Sequence, residues 1–246
     1  MNFKDKIINY TDKNKNDDNK NLYEKYYMKS YNNHLINSKN ALLMLIGPSG
    51  SGKTTSIINF IMRCIYNKNY IPFSEIYYFT ASSSDEPLLA YLKSIIDNNL
   101  YIIDDINNLP KIEDFKDSNK QEKRIMIFDD INNLDKKKSL IVDKWASSGR
   151  KFASHIFFIA QNLINVSNQI RRNINYLFIY RQRENSIINR IIKQYNIYNI
   201  DEELFKKIYL EATKNKGDFL MLDLTDNSKY PFRHNFIDII DININN

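Results

Sequence analysis

One segment of this 246-residue chain limits its possible folds more than any other. Residues 47–54, Gly-Pro-Ser-Gly-Ser-Gly-Lys-Thr, fit the pattern G-x-x-x-x-G-K-S/T at every fixed position. This segment follows an unbroken apolar run, Ala41–Ile46, and precedes a stretch with isoleucine and methionine at helical spacing. The whole chain has only five glycines, so three of them within six residues are not background. Glycines between a buried strand and a helix aim backbone N–H groups at phosphate oxygens. The segment therefore predicts a nucleotide phosphate loop in an α/β fold.

The loop supplies the residues that we expect to bind ATP. Lys53 is expected to reach the β- and γ-phosphates, and the Thr54 hydroxyl to ligate Mg²⁺. The full set of predicted cofactor-binding residues is Gly47, Pro48, Ser49, Gly50, Ser51, Gly52, Lys53, Thr54 and Thr55.

Two adjacent acids end a second apolar run, at residues 125–130. This pattern is typical of a Walker B strand, in which Asp129 holds Mg²⁺ directly or through water and Asp130 orients or deprotonates the attacking water. Asp130 is one methylene shorter than the glutamate that many motors carry there. Residues 101–105, which also end in two aspartates, are a competitor. The later pair is favoured by its longer apolar run and its better-defined following helix.

A polar residue also follows the predicted strand His155–Ala160. In nucleotide hydrolases with an additional strand between the two Walker strands, a residue at the position of Gln161 senses the γ-phosphate, because an amide donates to phosphate and accepts from water. The alternative is an amide that caps the strand. His155 has no partner visible in the sequence, and we interpret it as structural.

Arginines before the next strands are candidates for an arginine finger, which completes the site of a neighbouring subunit and neutralises transition-state charge. Arg150 is the first choice, and Arg171 or Arg172 the second. The alternative is that these arginines contact DNA or form surface ion pairs.

The net charge of +6 is concentrated in residues 144–195, where nine lysines and arginines stand against one acid, Glu184. Such a block indicates a surface for a polyanion or a solvated face. Residues 136–138, Lys-Lys-Lys, are a candidate DNA-contacting loop or a solvated helix start. The 43% hydrophobic content excludes a fully disordered chain. No apolar run is long enough for a transmembrane helix.

Strands and helices alternate along the chain, which favours an α/β fold with a mostly parallel central sheet flanked by helices. We expect residues 1–39 to form a partly mobile N-terminal extension and residues 40–246 a single domain. The predicted strands are 41–46, 75–80, 124–129, 155–160, 174–180, 219–224 and 230–236, and the predicted helices are 53–67, 88–97, 137–148, 185–195 and 202–214. Residues 100–104 are ambiguous, and 111–123 are predicted as a surface connection.

Together these motifs resemble the FtsK–HerA superfamily of P-loop ATPases. The resemblance is carried by the phosphate loop, the acidic strand end, Gly149 and Arg150 before the strand that ends at Gln161, and residues 169–173, Gln-Ile-Arg-Arg-Asn. It is greatest to the poxvirus-type genome-packaging ATPases of large DNA viruses and virophages.

The resemblance implies a RecA-like core, ATP with Mg²⁺, and a homo-oligomeric ring, a pentamer or hexamer, that moves double-stranded DNA into a capsid without reading its sequence. Capsid-vertex or membrane-associated viral proteins are the further partners it implies. The implied location is the host cytoplasm at the assembly site, or the virion.

Two other functions stay open on the sequence alone. A nucleotide kinase would use the same phosphate loop, although the basic block and Gln161 weigh against it. A non-motor DNA-binding or assembly protein switched by nucleotide would not need the acid pair at Asp129 and Asp130.

Overall fold

A computed structural model describes residues 40–66, 75–80, 87–96, 99–115, 124–153, 155–195, 200–225, 228, 231–236 and 238–240. The predicted N-terminal extension, residues 1–39, lies outside the described residues. Within the described part of the chain, no helix has the length and apolarity needed to cross a membrane.

The described residues form a nine-stranded sheet with helices on both faces. The strands are β1 (Ala41–Ile46), β2 (Glu75–Thr80), β3 (Leu100–Ile103), β4 (Arg124–Asp129), β5 (His155–Ala160), β6 (Tyr176–Tyr180), β7 (Phe219–Asp223), β8 (Phe232–His234) and β9 (Asp238–Ile240). The helices are α1 (Lys53–Tyr66), α2 (Pro87–Ile96), α3 (Lys136–Ser148), α4 (Asn168–Asn173), α5 (Asn185–Tyr195) and α6 (Glu202–Ala212). Short 3₁₀ turns occupy Ile106–Asn108, Ile112–Phe115, Ile131–Asn133 and Gly149–Lys151.

The central strands are apolar on both faces because helices cover both sides of the sheet. In β1, Leu42 and Met44 face a core shared with α3, α4, α5 and α6, whereas Leu43 and Leu45 face a core shared with α1 and α2. The same alternation continues in β4, where Phe128 lies on the first face and Ile127 on the second. Since side chains alternate along a strand, Asp129 points to the face that carries α1.

The strand order is β3-β2-β4-β5-β1-β6-β7-β8-β9. The strands from β3 to β6 pair in parallel, and β7, β8 and β9 are added antiparallel at one side. β5 therefore lies between β1, which leads into the phosphate loop, and β4, which ends in the acids. This arrangement confirms the predicted α/β fold with a mostly parallel sheet.

Most predicted elements appear within two residues of their expected bounds, and the ambiguous residues 100–104 contain β3. The surface connection predicted over residues 111–123 is wrong for its described part, because Ile112 and Phe115 are buried. Phe115 packs edge-on against Trp145 at 5.8 Å and Tyr77 at 5.6 Å. In a 3₁₀ turn, residues three positions apart lie on the same face, so Ile112 and Phe115 both point into the core. The two acidic residues between them make this short segment resemble a surface loop in the sequence.

Candidate nucleotide-binding site

The phosphate loop begins where β1 ends and closes onto the first turn of α1. The Gly47 N–H donates to the Ala160 carbonyl at 3.2 Å, which ties the loop entry to the end of β5. The Ser51 N–H donates to the Pro48 carbonyl at 3.2 Å, and the Ser56 N–H to the Gly52 carbonyl at 2.9 Å. The loop is thus a tight turn that passes directly into a helix, as a phosphate-binding site requires.

Two glycines of the loop adopt positive φ angles, 72° at Gly50 and 101° at Gly52. Gly52 also faces a close neighbour, since a Cβ added there would lie 3.2 Å from the Cα of Gly217. Gly217, at a φ of 92°, belongs to the turn before β7. The antiparallel strand β7 thus brings a second turn against the phosphate loop.

Lys53 folds back onto its own loop. Its Nζ donates to the carbonyl of Gly47 at 2.8 Å and to that of Pro48 at 3.0 Å. Burial lowers the pKa of Lys53, and the negative charges of Asp129 and Asp130 partly offset this by raising it. The lysine at the phosphate loop and the two acids after β4 therefore share one electrostatic environment.

Asp129 ends β4 on the face of the sheet that carries α1. Its Oδ1 accepts from the Asp130 N–H at 2.8 Å, and its Oδ2 accepts from the Tyr78 hydroxyl of β2 at 2.6 Å. Carboxylate oxygens are also among the ligands that Mg²⁺ prefers. Asp129 can act as a metal ligand while protein donors fix its orientation.

Asp130 turns the chain out of the strand with a φ of 54°, in the left-handed region. An aspartate tolerates this conformation better than most residues. Its Oδ2 accepts from Asn133 Nδ2 at 2.8 Å, and its Oδ1 lies 3.5 Å from Gln161 Nε2. The second acid and the glutamine after β5 are therefore neighbours.

Asn132 joins the acidic turn to the end of β5. Its Oδ1 accepts from the Gln161 N–H, and its Nδ2 donates to the Asn162 carbonyl at 3.2 Å. Gln161 is exposed, and it follows the strand that separates the phosphate loop from the acids. The structure thus brings Lys53, Asp129, Asp130 and Gln161 together at the carboxyl-terminal end of the parallel strands.

The candidate finger arginines lie at the opposite, amino-terminal end of the parallel strands: Arg150 precedes β5, and Arg171 and Arg172 precede β6. The half-buried Arg150 donates to the Asn173 carbonyl, and its own carbonyl accepts from Asn40 Nδ2 at 2.9 Å. Burial lowers the pKa of Arg150. A six-residue strand is about 20 Å long, so Arg150 is remote from the phosphate loop of its own chain.

Arg171 and Arg172 differ in their surroundings. Arg171 Nη1 donates to Gln194 Oε1 at 2.9 Å, and its Nη2 donates to Asn168 Oδ1. Arg172 is exposed, and its side chain makes no hydrogen bond or ion pair with the described residues. Of the three candidates, Arg172 is the one whose guanidinium is open to a neighbour.

The competing acid pair, Asp104 and Asp105, follows the edge strand β3, and β2, β4 and β5 separate it from β1. Asp105 accepts from the Asn107 N–H at 3.0 Å, which caps the 3₁₀ turn that follows. This pair is therefore placed for a local structural role, away from the phosphate loop.

Four residues that the structure places at the site are not among those predicted from the sequence: Tyr78, Asn132, Asn133 and Gly217. The two asparagines follow the acid pair after one isoleucine, Ile131, and their position in the turn after a Walker B strand is the signal that points to them. Tyr78 and Gly217 give no such signal, because they reach the site only through strand pairing.

The family model described as "Poxvirus A32 protein" matches residues 28–231 of the chain. A search of curated protein sequences gives no match.

Several solved structures are similar in fold. The DNA-packaging ATPase B204 from Sulfolobus Turreted Icosahedral Virus has a TM-score of 0.57 and 16% identity, covering 81% of this chain and 98% of that chain. The genome packaging NTPase B204 from Sulfolobus turreted icosahedral virus 2 in complex with ATP-gammaS has a TM-score of 0.53 and 15% identity, covering 83% and 100%. EssC (ATPases 2 and 3) from Geobacillus thermodenitrificans has a TM-score of 0.54 and 13% identity, covering 81% and 39%.

Because these identities are low, the structural similarity establishes a shared fold and no more. The match to the family model establishes more than the fold, because the matched residues, 28–231, include the phosphate loop, both acids and Gln161. It confirms the resemblance inferred from the motifs, and the chain belongs to the Poxvirus A32 protein family.

Proposed function

We propose that this chain is an ATP-hydrolysing motor that translocates viral double-stranded DNA into a capsid. The observation that carries the proposal is the strand order: β1, which leads to Lys53, and β4, which ends at Asp129 and Asp130, flank β5 in parallel. The lysine and the two acids therefore lie at the same end of the sheet, close enough for the acids to offset part of the lowering of the Lys53 pKa that burial causes. A phosphate-binding lysine and a metal-binding acid must meet at the same triphosphate. Family membership and the fold shared with packaging NTPases support the choice of DNA as the substrate moved.

The oxygens of Thr54 and Asp129 fit Mg²⁺, which prefers hydroxyl, carboxylate and water ligands. We therefore assign these two residues as its protein ligands. Held there, the ion would supply positive charge to the phosphates of the nucleotide. In this mechanism the Lys53 ammonium gives up its hydrogen bonds to the carbonyls of Gly47 and Pro48 and donates to phosphate oxygens when ATP enters the loop.

The remaining groups act on the attacking water and on the γ-phosphate. Asp130 accepts a hydrogen bond from the water and aims it in line with the leaving group. Gln161 donates to the γ-phosphate, and its contact with Asp130 links the presence of that phosphate to the position of the base. An arginine from the next subunit, Arg150 or Arg172, neutralises the charge of the transition state.

Residues 40–246 act in this proposal as a single P-loop ATPase domain within a homo-oligomeric ring, a pentamer or hexamer. Basic residues at the pore grip DNA phosphates without reading bases. Residues 136–138 are candidates, although they form the first turn of α3. Capsid-vertex or membrane-associated viral proteins dock the ring, in the host cytoplasm or on the virion.

The test is ATP hydrolysis by the full chain with and without long double-stranded DNA. We expect DNA to stimulate turnover, and Lys53→Ala and Asp129→Ala each to abolish it. Lys207→Ala is the matched control, because Lys207 is an exposed lysine that pairs with Glu203 on α6. Phosphate appearing on a nucleotide acceptor would indicate a kinase instead, and binding without turnover would indicate a switch.

A further inference from the structure

Tyr78 lies in the strand beside the acidic strand and is fully buried. Its hydroxyl donates to Asp129 Oδ2 at 2.6 Å, the length of a strong hydrogen bond to a charged acceptor. No motif in the sequence connects these residues, which are 51 positions apart. The bond therefore exists only because β2 pairs with β4.

The register explains how the phenol reaches the carboxylate. Tyr78 is paired with Ile127, and Thr80 with Asp129, so Tyr78 starts two residues short of the acid. Tyr78 and Ile127 both face α1 and α2. The long tyrosine side chain extends along this face toward the carboxyl end of the sheet, where its hydroxyl meets Asp129.

The consequence is a carboxylate anchored on both oxygens. Oδ1 accepts from the Asp130 N–H at 2.8 Å and Oδ2 accepts from Tyr78. Two donors in different directions fix the rotation of the carboxylate plane, which a single bond would leave free.

We propose that Tyr78 is a positioning residue for magnesium binding, which holds the Asp129 carboxylate in the orientation that Mg²⁺–ATP requires. This inference rests on the proposed function, since it assumes that Asp129 is a metal ligand. Magnesium demands near-octahedral geometry, so a ligand that rotates freely binds it less well. Groups that orient a metal ligand typically contribute tenfold to a hundredfold to metal affinity.

The decisive variant is Tyr78→Phe, which keeps the ring in the core and removes only the hydroxyl. The measurement is equilibrium binding of a fluorescent ATP analogue to the full chain, titrated with Mg²⁺ and repeated in EDTA. We expect the half-saturating Mg²⁺ concentration to rise about tenfold. Affinity for the metal-free analogue should stay unchanged, because Tyr78 acts only through Asp129.

Tyr176→Phe is the matched control. Tyr176 is also a fully buried tyrosine in the core shared with α1 and α2, and it opens β6 at the end of the sheet opposite the phosphate loop. Loss of its hydroxyl should lower the unfolding temperature without changing the Mg²⁺ requirement. Thermal unfolding of both variants therefore separates a general packing effect from a metal effect.

A second comparison keeps the proposal testable if Tyr78→Phe also lowers stability. In an Asp129→Ala background, Tyr78→Phe should cause no further change in the Mg²⁺ requirement. An unchanged requirement in the single Tyr78→Phe variant would overturn the inference and leave the proposed function intact. Wild-type protein that binds the analogue without any effect of Mg²⁺ would instead overturn the proposed function.

Discussion

At the scale of the residue, the phosphate loop depends on the backbone freedom of two glycines. Gly50, at a φ of 72°, has open space where a Cβ would lie, whereas Gly52, at 101°, faces the backbone of Gly217. A side chain at either position adopts a disfavoured conformation. Only Gly52 also has a steric reason, because the turn that ends at Gly217 cannot withdraw without moving β7.

We therefore predict that Gly52→Ala is more harmful than Gly50→Ala. Gly50→Ala should lower the free energy of unfolding by about 1–2 kcal/mol, the penalty of a left-handed alanine. Gly52→Ala adds the close contact with Gly217, so its loss should be larger. Urea denaturation of both variants measures the difference, and equal losses would show that the contact with Gly217 is without effect.

His155 is a second residue whose behaviour follows from its surroundings. It opens β5, is fully buried, and lies 5.5 Å from the ring of Phe60. Neither ring nitrogen has a hydrogen-bond partner within the described residues. Burial alone lowers the pKa of His155 from 6.5 to about 3, so the folded protein keeps the ring neutral.

This burial predicts a loss of stability in acid. The unfolded chain binds a proton at His155 below pH 6.5, whereas the folded chain does so only below about pH 3. The free energy of unfolding should fall as pH falls through this window, by up to about 1.4 kcal/mol per pH unit from this group.

The measurement is the difference between wild type and His155→Phe across the same pH range. Acidic side chains contribute to both proteins alike, so the difference isolates the histidine. The phenylalanine variant should show a flatter pH dependence, and parallel curves would contradict the prediction.

At the scale of the element, the strands follow most directly from the sequence. β1, β2, β4 and β5 have the predicted bounds because apolar runs bounded by polar residues define a strand covered on both faces. The sequence does not predict the six-residue helix α4, since it is too short to show a periodic pattern. Ser167 caps it by accepting from the Ile170 N–H at 3.2 Å.

Helix α3 carries a capping residue between the acidic turn and its three lysines. Asp135 Oδ1 accepts from the Lys138 N–H at 2.9 Å. We predict that Asp135→Ala lowers the free energy of unfolding by about 1 kcal/mol, the usual value of such a cap. The check is thermal unfolding beside Lys137→Ala, an exposed change on the same turn that should stay within about 0.5 kcal/mol of wild type.

At the scale of the whole molecule, the basic segment 144–195 does not form one patch. Lys151 and Arg172 precede β5 and β6, whereas Arg181 and Arg183 follow β6, at the end of the strands where the phosphate loop lies. The length of a strand therefore separates the two groups. A surface for DNA must use the basic residues at one end of the strands, or those at both ends from different subunits of a ring.

Arg150 lies at the end of the strands opposite the phosphate loop, and this position leads to a prediction about assembly. If Arg150 acts on a neighbour, Arg150→Ala and Lys53→Ala subunits should each be inactive alone. Mixed, they should recover part of the DNA-stimulated turnover, because an intact phosphate loop can then face an intact arginine. The measurement is ATP hydrolysis across a series of mixing ratios.

Arg172→Ala mixed with Lys53→Ala provides the parallel comparison. Recovery in this mixture but not in the Arg150 mixture would assign the finger to Arg172. Thermal unfolding of Arg150→Ala shows how much of its effect comes from losing the bond to Asn173. No recovery in either mixture would exclude both arginines as fingers in trans.

The phosphate loop, the strands and the acidic strand end can be predicted from the sequence, because each depends on neighbouring residues and on backbone conformation. The positions of Lys53, Asp129 and Gln161 follow in the same way, and their catalytic roles stay predictions. The order of the strands is a property of the folded chain, and it creates the contacts of Tyr78 with Asp129 and of Gly217 with Gly52. Such contacts join residues far apart in the chain, so the strand order that creates them leaves no local pattern.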